Sequence, residues 1–331
     1  METTLRRQRA PIVQAIRVDK ISGATRLVQA IRIVLAVVYA VLSLIPVLWI
    51  GMTAFKSRPD ATAVPPKVIF KPTLEGFVSL LTDRAILNEA RRQELLARAD
   101  ELPWYQRLMV QQGMEVTGPS QYVGRLRNSV IIAGVSTVAA VVLGLLAAYA
   151  FSRFPVPGKG DLLFFILSTR MLPPVVVTIP IFLMYRRLGL HDTHIGLILL
   201  YTVFNLSFSV WLMKGFLDEI PREYEEAALV DGYTRLQAFF KVVLPNSLSG
   251  LAATTVFCLI FAWNEYAFAL MLTTDRARTA PPSITTMLGR GGIEWASIAA
   301  GSLGFLIPVV LVTFALRKYL LRGVTFGAIR Q

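Results

Sequence analysis

Asp218-Glu-Ile-Pro-Arg-Glu-Tyr-Glu-Glu-Ala-Ala-Leu-Val-Asp-Gly232, followed by Tyr233-Thr-Arg-Leu-Gln-Ala-Phe-Phe-Lys-Val-Val-Leu-Pro245, lies between two long apolar runs. Its first half is dense in acid, and its second half has a short apolar helical period. Pro221 suits the first turn of a helix, and Asp218, Glu219 and Glu223 lie near that helix's positive end. Gly232 is placed to stop it, because a left-handed cap tolerates no Cβ cheaply. Thr234 can cap a second helix in which Leu236, Phe239, Phe240 and Val243 fall at i, i+3, i+4 and i+7. Pro245 is expected to end that helix. The stretch reads as a helix–Gly turn–helix hairpin held outside a membrane, with an apolar face that needs a partner.

The membrane follows from composition. The 331 residues are 54% hydrophobic and only 17% charged, below the ~25% charge of soluble domains, and apolar runs of roughly 20 residues recur. The net charge of +13 is spread over loop ends, where Lys and Arg set membrane topology. Nucleic acid is excluded as a partner, since no basic face forms. Within 218–232, six acids stand against one Arg, the wrong sign for phosphate. The single Cys258 permits no intrachain disulfide, and His191 and His194 are too few for a metal site.

Outward from the hairpin, the spans are read at about 31–54, 127–151, 161–185, 194–216, 248–272 and 296–316. The basic N-terminal segment 1–30 precedes the first, which is too long for a signal peptide and lacks a cleavage site. The third holds Arg170 with Pro173, Pro174 and Pro180, so it must be kinked, with freed carbonyls covered by neighbours. An external loop, 55–124, starts proline-punctuated and extended. It continues as one or two amphipathic helices within an insertion near 83–117, interrupted near Pro103. That insertion is read either as a solvated helical lobe packed on its own loop or as a docking platform for an external partner. Residues 125–320 form the core domain, with the hairpin at 218–246 and a basic tail at 321–331. Six spans put both termini on one side, and Arg153, Lys159, Arg317, Lys318 and Arg322 make it the cytoplasm. Arg186 and Arg187, on a short outer loop, are an exception.

Glu226-Ala-Ala228, Gly232 and Leu244-Pro245 form the pattern EAA-x3-G-x9-hydrophobic-x-LP. It resembles the coupling loop of permease subunits in binding-protein-dependent ABC importers. Arg170-Met-Leu-Pro-Pro174, Arg187-Leu-Gly-Leu190 with Asp192-Thr193, Trp211-Leu-Met-Lys-Gly-Phe216 and Trp263-Asn-Glu-Tyr266 resemble its carbohydrate branch, the maltose-type six-span subunit. The resemblance covers most of the chain outside the insertion. It implies an all-α integral membrane protein of the type I importer permease fold, in a bacterial inner membrane.

The same resemblance implies a heterodimer with a second permease, two cytoplasmic ATPase subunits and an external substrate-binding protein. Tyr224, Glu225, Glu226, Ala227, Ala228, Asp231, Gly232, Phe239, Leu244 and Pro245 are then the ATPase-docking set, and the tail reaches the ATPases too. The chain lacks a G-x4-GK[ST] phosphate loop. It is therefore read as a non-catalytic subunit without a cofactor, ATP and Mg belonging to the partner ATPases. Its transport mechanism would be alternating access, for a sugar, polyol or sugar phosphate.

Ionisable groups inside the bilayer are costly and often functional. Arg170 and Glu265 are candidates for the translocation pathway on that ground, with Asn205, Ser209 and Asn264 beside them. Counted from the cytosolic ends, Arg170 is shallower than Glu265 by roughly 10 Å, and local satisfaction of each group is the competing reading. Asn205, Ser207, Ser209 and Asn264 also suit helix–helix hydrogen bonds. Two other classes stand against the importer: an ATP-independent secondary transporter or channel, and a membrane scaffold whose hairpin recruits a cytoplasmic protein.

Overall fold

The structure is a computed structural model describing residues 23–327 apart from 172, 290 and 291. The expected basic segment lies outside the described residues up to position 22, as does 328–331 of the expected tail. Two units, Met1–Trp49 and Ile50–Gln331, are distinguished. Most of helix α1 (Gly23–Ala54) belongs to the first. From Val28 to Trp49 its side chains are exposed and almost wholly apolar. A helix satisfies its own backbone, so such a surface is stable in lipid and not in water.

The second unit begins with the last residues of α1, and the chain then leaves the apolar span. Ser57 caps the short α2 (Arg58–Ala61), a turn of helix where extended chain is expected from the prolines. Helix α3 (Glu75–Leu81) comes so close to a neighbour that a Cβ on Gly76 would lie 2.6 Å from the Ala296 carbonyl oxygen. The insertion then departs from the all-helical reading. Strand β1 (Thr82–Ile86) pairs antiparallel with β2 (Met114–Pro119), and α4 (Glu89–Ala97) and α5 (Trp104–Gln111) lie between them. The one or two helices expected there are two, separated at 98–103. The ribbon was concealed because Thr82-Asp-Arg-Ala-Ile86 has no apolar alternation to announce a strand. Two small cores, Leu87–Leu95–Val110 and Val78–Met109–Met114, fill the lobe. Arg84 ties it down, donating from Nη1 and Nη2 to Glu294 at 2.9 and 2.7 Å.

The spanning part comprises α6 (Tyr122–Arg153), α7 (Lys159–Ser168), α8 (Pro174–Arg187) and α9 (His194–Asp218). After them come α10 (Arg222–Val230), α11 (Arg235–Ala238), α12 (Leu244–Asn246), α13 (Leu248–Trp263), α14 (Ala267–Leu272) and α15 (Ala280–Ile284). A two-residue ribbon, β3 (Leu288–Gly289) and β4 (Gly292–Ile293), leads into α16 (Trp295–Gly327). Among the described residues four helices are long and apolar enough to cross a bilayer, and up to six spans result if each of two bent pairs, within 159–187 and within 235–263, is one. The expected third span breaks into α7, a 3-10 turn over Thr169–Met171, and α8, whose N-terminus is set by Pro173 and Pro174. The fifth, expected as one run over 248–272, is instead interrupted at Asn264–Tyr266 between α13 and α14.

Helices α6 and α9 form the principal pair, and α13 packs on both and on α16. Close approach has an identifiable cause at Gly144, where a Cβ would sit 2.2 Å from Ser209 Oγ; small residues let spanning helices touch. Towards the loops, Asp192 at φ +54° accepts from the backbone N–H groups of Thr274, Asp275, Arg276 and Ala277 at 3.1–3.3 Å. Burial acts to raise its pKa, but the bonds from Ala277, Arg276 and the other two prevail and hold it below the ordinary 3.8.

Candidate functional site

The hairpin has two sides. Helix α10 stops in a glycine cap: Gly232, at φ +86°, donates to the Leu229 carbonyl at 3.1 Å, and Tyr233 donates to Ala228 at 3.0 Å. Thr234 then opens α11 with a reciprocal capping box, its Oγ1 taking the Gln237 N–H while Gln237 Oε1 takes the Thr234 N–H. Both signals sit where the sequence puts them.

The expected apolar stripe does not hold. A π turn over Phe239–Val243 rotates the second helix by the extra residue it contains. Phe239 and Val243 thereby turn inward onto Leu145, Met213 and Leu217, while Leu236 and Phe240 stay 67% and 56% exposed. Pro245 also fails to end the helix. It enters the first turn of α12, and the chain bends by 74° into α13 after Asn246.

A buried ion pair holds the inner side. Arg153 Nε donates to Glu225 Oε2 at 3.1 Å, with both side chains 5% exposed. Tyr149 Oη donates to the other Glu225 oxygen, and its ring meets Phe239 at 4.8 Å. Arg153 Nη2 reaches the Ile220 carbonyl at 3.0 Å, Arg222 Nη2 reaches Ser152 O at 2.7 Å, and Ser152 Oγ donates to Asp218 at 2.7 Å. The C-terminal turn of α6 is thus joined to both ends of the segment entering α10. The outer side presents Tyr224, Glu226, Ala227, Val230, Asp231, Gly232, Tyr233, Leu236 and Phe240, all exposed.

A second constellation lies among the spans. A cavity of about 200 Å³ is lined by Arg170, Tyr201, Asn205, Phe261, Glu265 and Phe268, among others. Arg170 donates from Nε to the Phe204 carbonyl and from Nη2 to Asn205 Oδ1, both at 3.1 Å, and lies 4.5 Å over the Phe261 ring. Glu265 accepts from Tyr201 Oη at 2.8 Å and from the N–H groups of Phe268 and Ala269 at 2.9 and 3.0 Å. Residues counted to different depths thus border one space. No bond joins the two charges, and each is anchored locally with hydrogen-bonding capacity left over.

A family model for the binding-protein-dependent transport system inner membrane component matches residues 140–326, which include the hairpin and both broken spans. The chain belongs to that family. Among its relatives, the trehalose/maltose transport system permease protein of Thermococcus litoralis is 31% identical over 89% of this chain and 94% of its own. A probable ABC transporter permease protein of Sinorhizobium fredii is 33% identical over 90% of this chain and 92% of its own. The fold is that of a chain from a bacterial ABC transporter involved in the import of the acidic polysaccharide alginate. That match has 21% identity, TM-score 0.62, and coverage of 90% of this chain and 98% of that one.

In this permease, three residues of the expected docking set face away from open surface: Glu225, Ala228 and Phe239 are 4%, 5% and 4% exposed. Glu225 and Phe239 join the hairpin to the end of α6, while Ala228 is covered where the hairpin closes on itself. Tyr224, Glu226, Ala227, Asp231, Gly232 and Pro245 remain outward, and Leu244 is half-buried. Of the pathway candidates, Arg170, Asn205 and Glu265 share the cavity. Asn205 is also an interhelical donor, to Cys258 O at 3.1 Å. Ser209 is buried against Gly144, away from the cavity, and Asn264 is exposed and donates to Ile260 O within its own helix. Sequence reasoning missed Tyr149, Tyr201, Val230 and Tyr233, and took Arg153 for a topology marker only. The signal available for Arg153 was a charge at the very end of a span, which serves both purposes.

Proposed function

We propose that the permease forms half of the translocation pathway of an ATP-driven importer for a sugar or related polar solute. It would pair with a second permease, receive its solute from an external binding protein and take its power from two cytoplasmic ATPase subunits. ATP and Mg would stay on those subunits, and this chain would perform no hydrolysis. The observation that carries the reading is the two-sided hairpin: one face locked by a buried ion pair to α6, the other offering apolar and acidic side chains to a cleft. An amphipathic helix laid in a groove is a standard recognition mode. Tyr224, Glu226, Ala227, Asp231 and Gly232 would make the contact, with Leu244 and Pro245 at its base. Both termini would be cytoplasmic in a bacterial inner membrane, supported by Arg153, Lys159, Arg317 and Lys318. The carbohydrate class is supported by the relatives' trehalose and maltose systems. Power is transmitted only if the motor binds the hairpin differently in its two states.

The test is ATP hydrolysis by the purified complex, stimulated by the loaded binding protein. An intact complex without stimulation overturns the proposal, and transport without any ATPase partner points to a secondary transporter or channel.

A further inference from the structure

The cavity at Arg170 and Glu265 lies where two broken spans meet. The 3-10 turn Thr169–Met171 carries Arg170 to its wall, and the Asn264–Tyr266 interruption carries Glu265. Non-helical backbone at membrane depth is tolerated only where protein buries it or a polar cavity receives it. Two independent interruptions converging on one space mark that space as built for a polar occupant, as discontinuous spans do in transporters. We propose that this cavity is a subsite on the permease for one uncharged, polyhydroxylated sugar ring.

The chemistry of the wall selects that class. Arg170 spends Nε and Nη2 on the Phe204 carbonyl and on Asn205, and its Nη1 has no acceptor among the described residues. Glu265 Oε2 accepts two bonds and Oε1 one, so Oε1 keeps a lone pair. The site thus offers one charged donor and one charged acceptor, both already anchored, which a pair of hydroxyls satisfies together. An anionic group seated at Glu265 would meet the carboxylate and a cationic group seated at Arg170 the guanidinium, each a like charge, whereas hydroxyls meet neither. The rings of Phe261 and Phe268 supply the apolar flank that a sugar's C–H face requires. About 200 Å³ is below the ~300 Å³ from which whole-ligand pockets start. One ring therefore enters, and the rest of a longer solute extends towards the other half of the pathway.

The proposal rests on the importer reading for the direction of delivery, and its test is chosen to fail separately. In the assembled complex carrying Ala262→Cys with Cys258→Ala, labelling of the cavity thiol by N-ethylmaleimide is followed with methyl α-D-glucopyranoside, glucuronate or glucosamine present. The glucoside is expected to slow labelling saturably. Added Arg170→Lys or Glu265→Gln should raise the concentration required by about tenfold, one hydrogen bond to a charged group. Glu265 also bonds the first turn of α14, so Arg170→Lys provides the check if Glu265→Gln fails to assemble. Absence of protection, equal or better protection by glucuronate or glucosamine, or indifference to Arg170→Lys would each overturn the subsite. Protection persisting without binding-protein-stimulated ATP hydrolysis would remove the importer reading and leave the subsite standing.

Discussion

Replacing Glu225 by Ala tests whether the hairpin is fastened to the membrane helices. The carboxylate is 5% exposed, bonds Arg153 Nε at 3.1 Å and accepts from Tyr149 Oη. Its removal leaves a buried guanidinium with only the Ile220 carbonyl and Ser152 Oγ to satisfy it. Breaking a buried pair in this way costs about 3–5 kcal/mol, which is roughly 150- to 5000-fold in an opening equilibrium. The loss is local, because Phe239 and Val243 still pack on Leu145, Met213 and Leu217. Hydrogen exchange of 222–243 in lipid nanodiscs should therefore accelerate by that factor while α6 and α9 stay protected. Arg153→Ala should do the same. The double replacement Arg153→Met with Glu225→Leu should be milder than either, since it leaves no orphaned charge. Unchanged exchange in the Glu225→Ala permease, or strict additivity in the double variant, would refute the fastening.

Four further outcomes can be measured. Gly232→Val should destabilise the hairpin by about 1–3 kcal/mol, because φ is +86° although a Cβ would meet nothing within 4 Å; loss of ATPase co-purification with normal membrane insertion is the readout. Gly144→Ala should lower the thermal midpoint of the detergent-solubilised permease, and Ser209→Gly should restore it, because the intruding Cβ falls 2.2 Å from Ser209 Oγ. Where the lobe is tied to the rest of the unit, burial acts to raise the Glu294 pKa but Arg84 prevails and holds it below 4.5, whereas burial raises that of Glu75 above 4.5. The Glu294 contribution is present above pH 4.5 and lost as pH falls through its depressed folded value. Glu75 is the reverse, so Glu75→Gln should stabilise at neutral pH by an amount that vanishes as pH falls below 4.5; thermal unfolding against pH reads both. Replacing 87–113 by an Asn-Gly turn should leave ATPase docking intact, since β1 and β2 are already antiparallel neighbours and Arg84 keeps Glu294.

What the sequence made legible were features with a local cause. Gly232, Thr234 and Gln237 act through their own backbone within a few residues, so their roles follow from identity and spacing alone. Pro173 and Pro174 likewise announce a broken span. The illegible features depend on partners far along the chain. Arg153 and Glu225 are 72 residues apart, and neither carries a mark of the other. The β1–β2 ribbon is stabilised by pairing and by Arg84–Glu294 rather than by its own alternation, so its strands read as polar loop. The Arg170–Glu265 cavity needs both interruptions at once, and counting residues along each span separately gave them different depths.

The π turn shows why one added residue has functional weight. With a continuous α period, Leu236, Phe239, Phe240 and Val243 would share one face. The hairpin would then satisfy either the spans or a partner, because a single stripe cannot bury itself twice. With five residues in the π turn, the stripe divides: Phe239 and Val243 go in, Leu236 and Phe240 stay out. The inner pair rests beside Tyr149, the residue that also holds Glu225. Leu236 and Phe240 thus stand within one helical turn of the contacts to α6, which in turn meets α9 closely at Gly144 and Ser209. A transporter driven from outside the bilayer needs a joint that is rigid on one side and vacant on the other. The irregular turn makes both faces from one short helix.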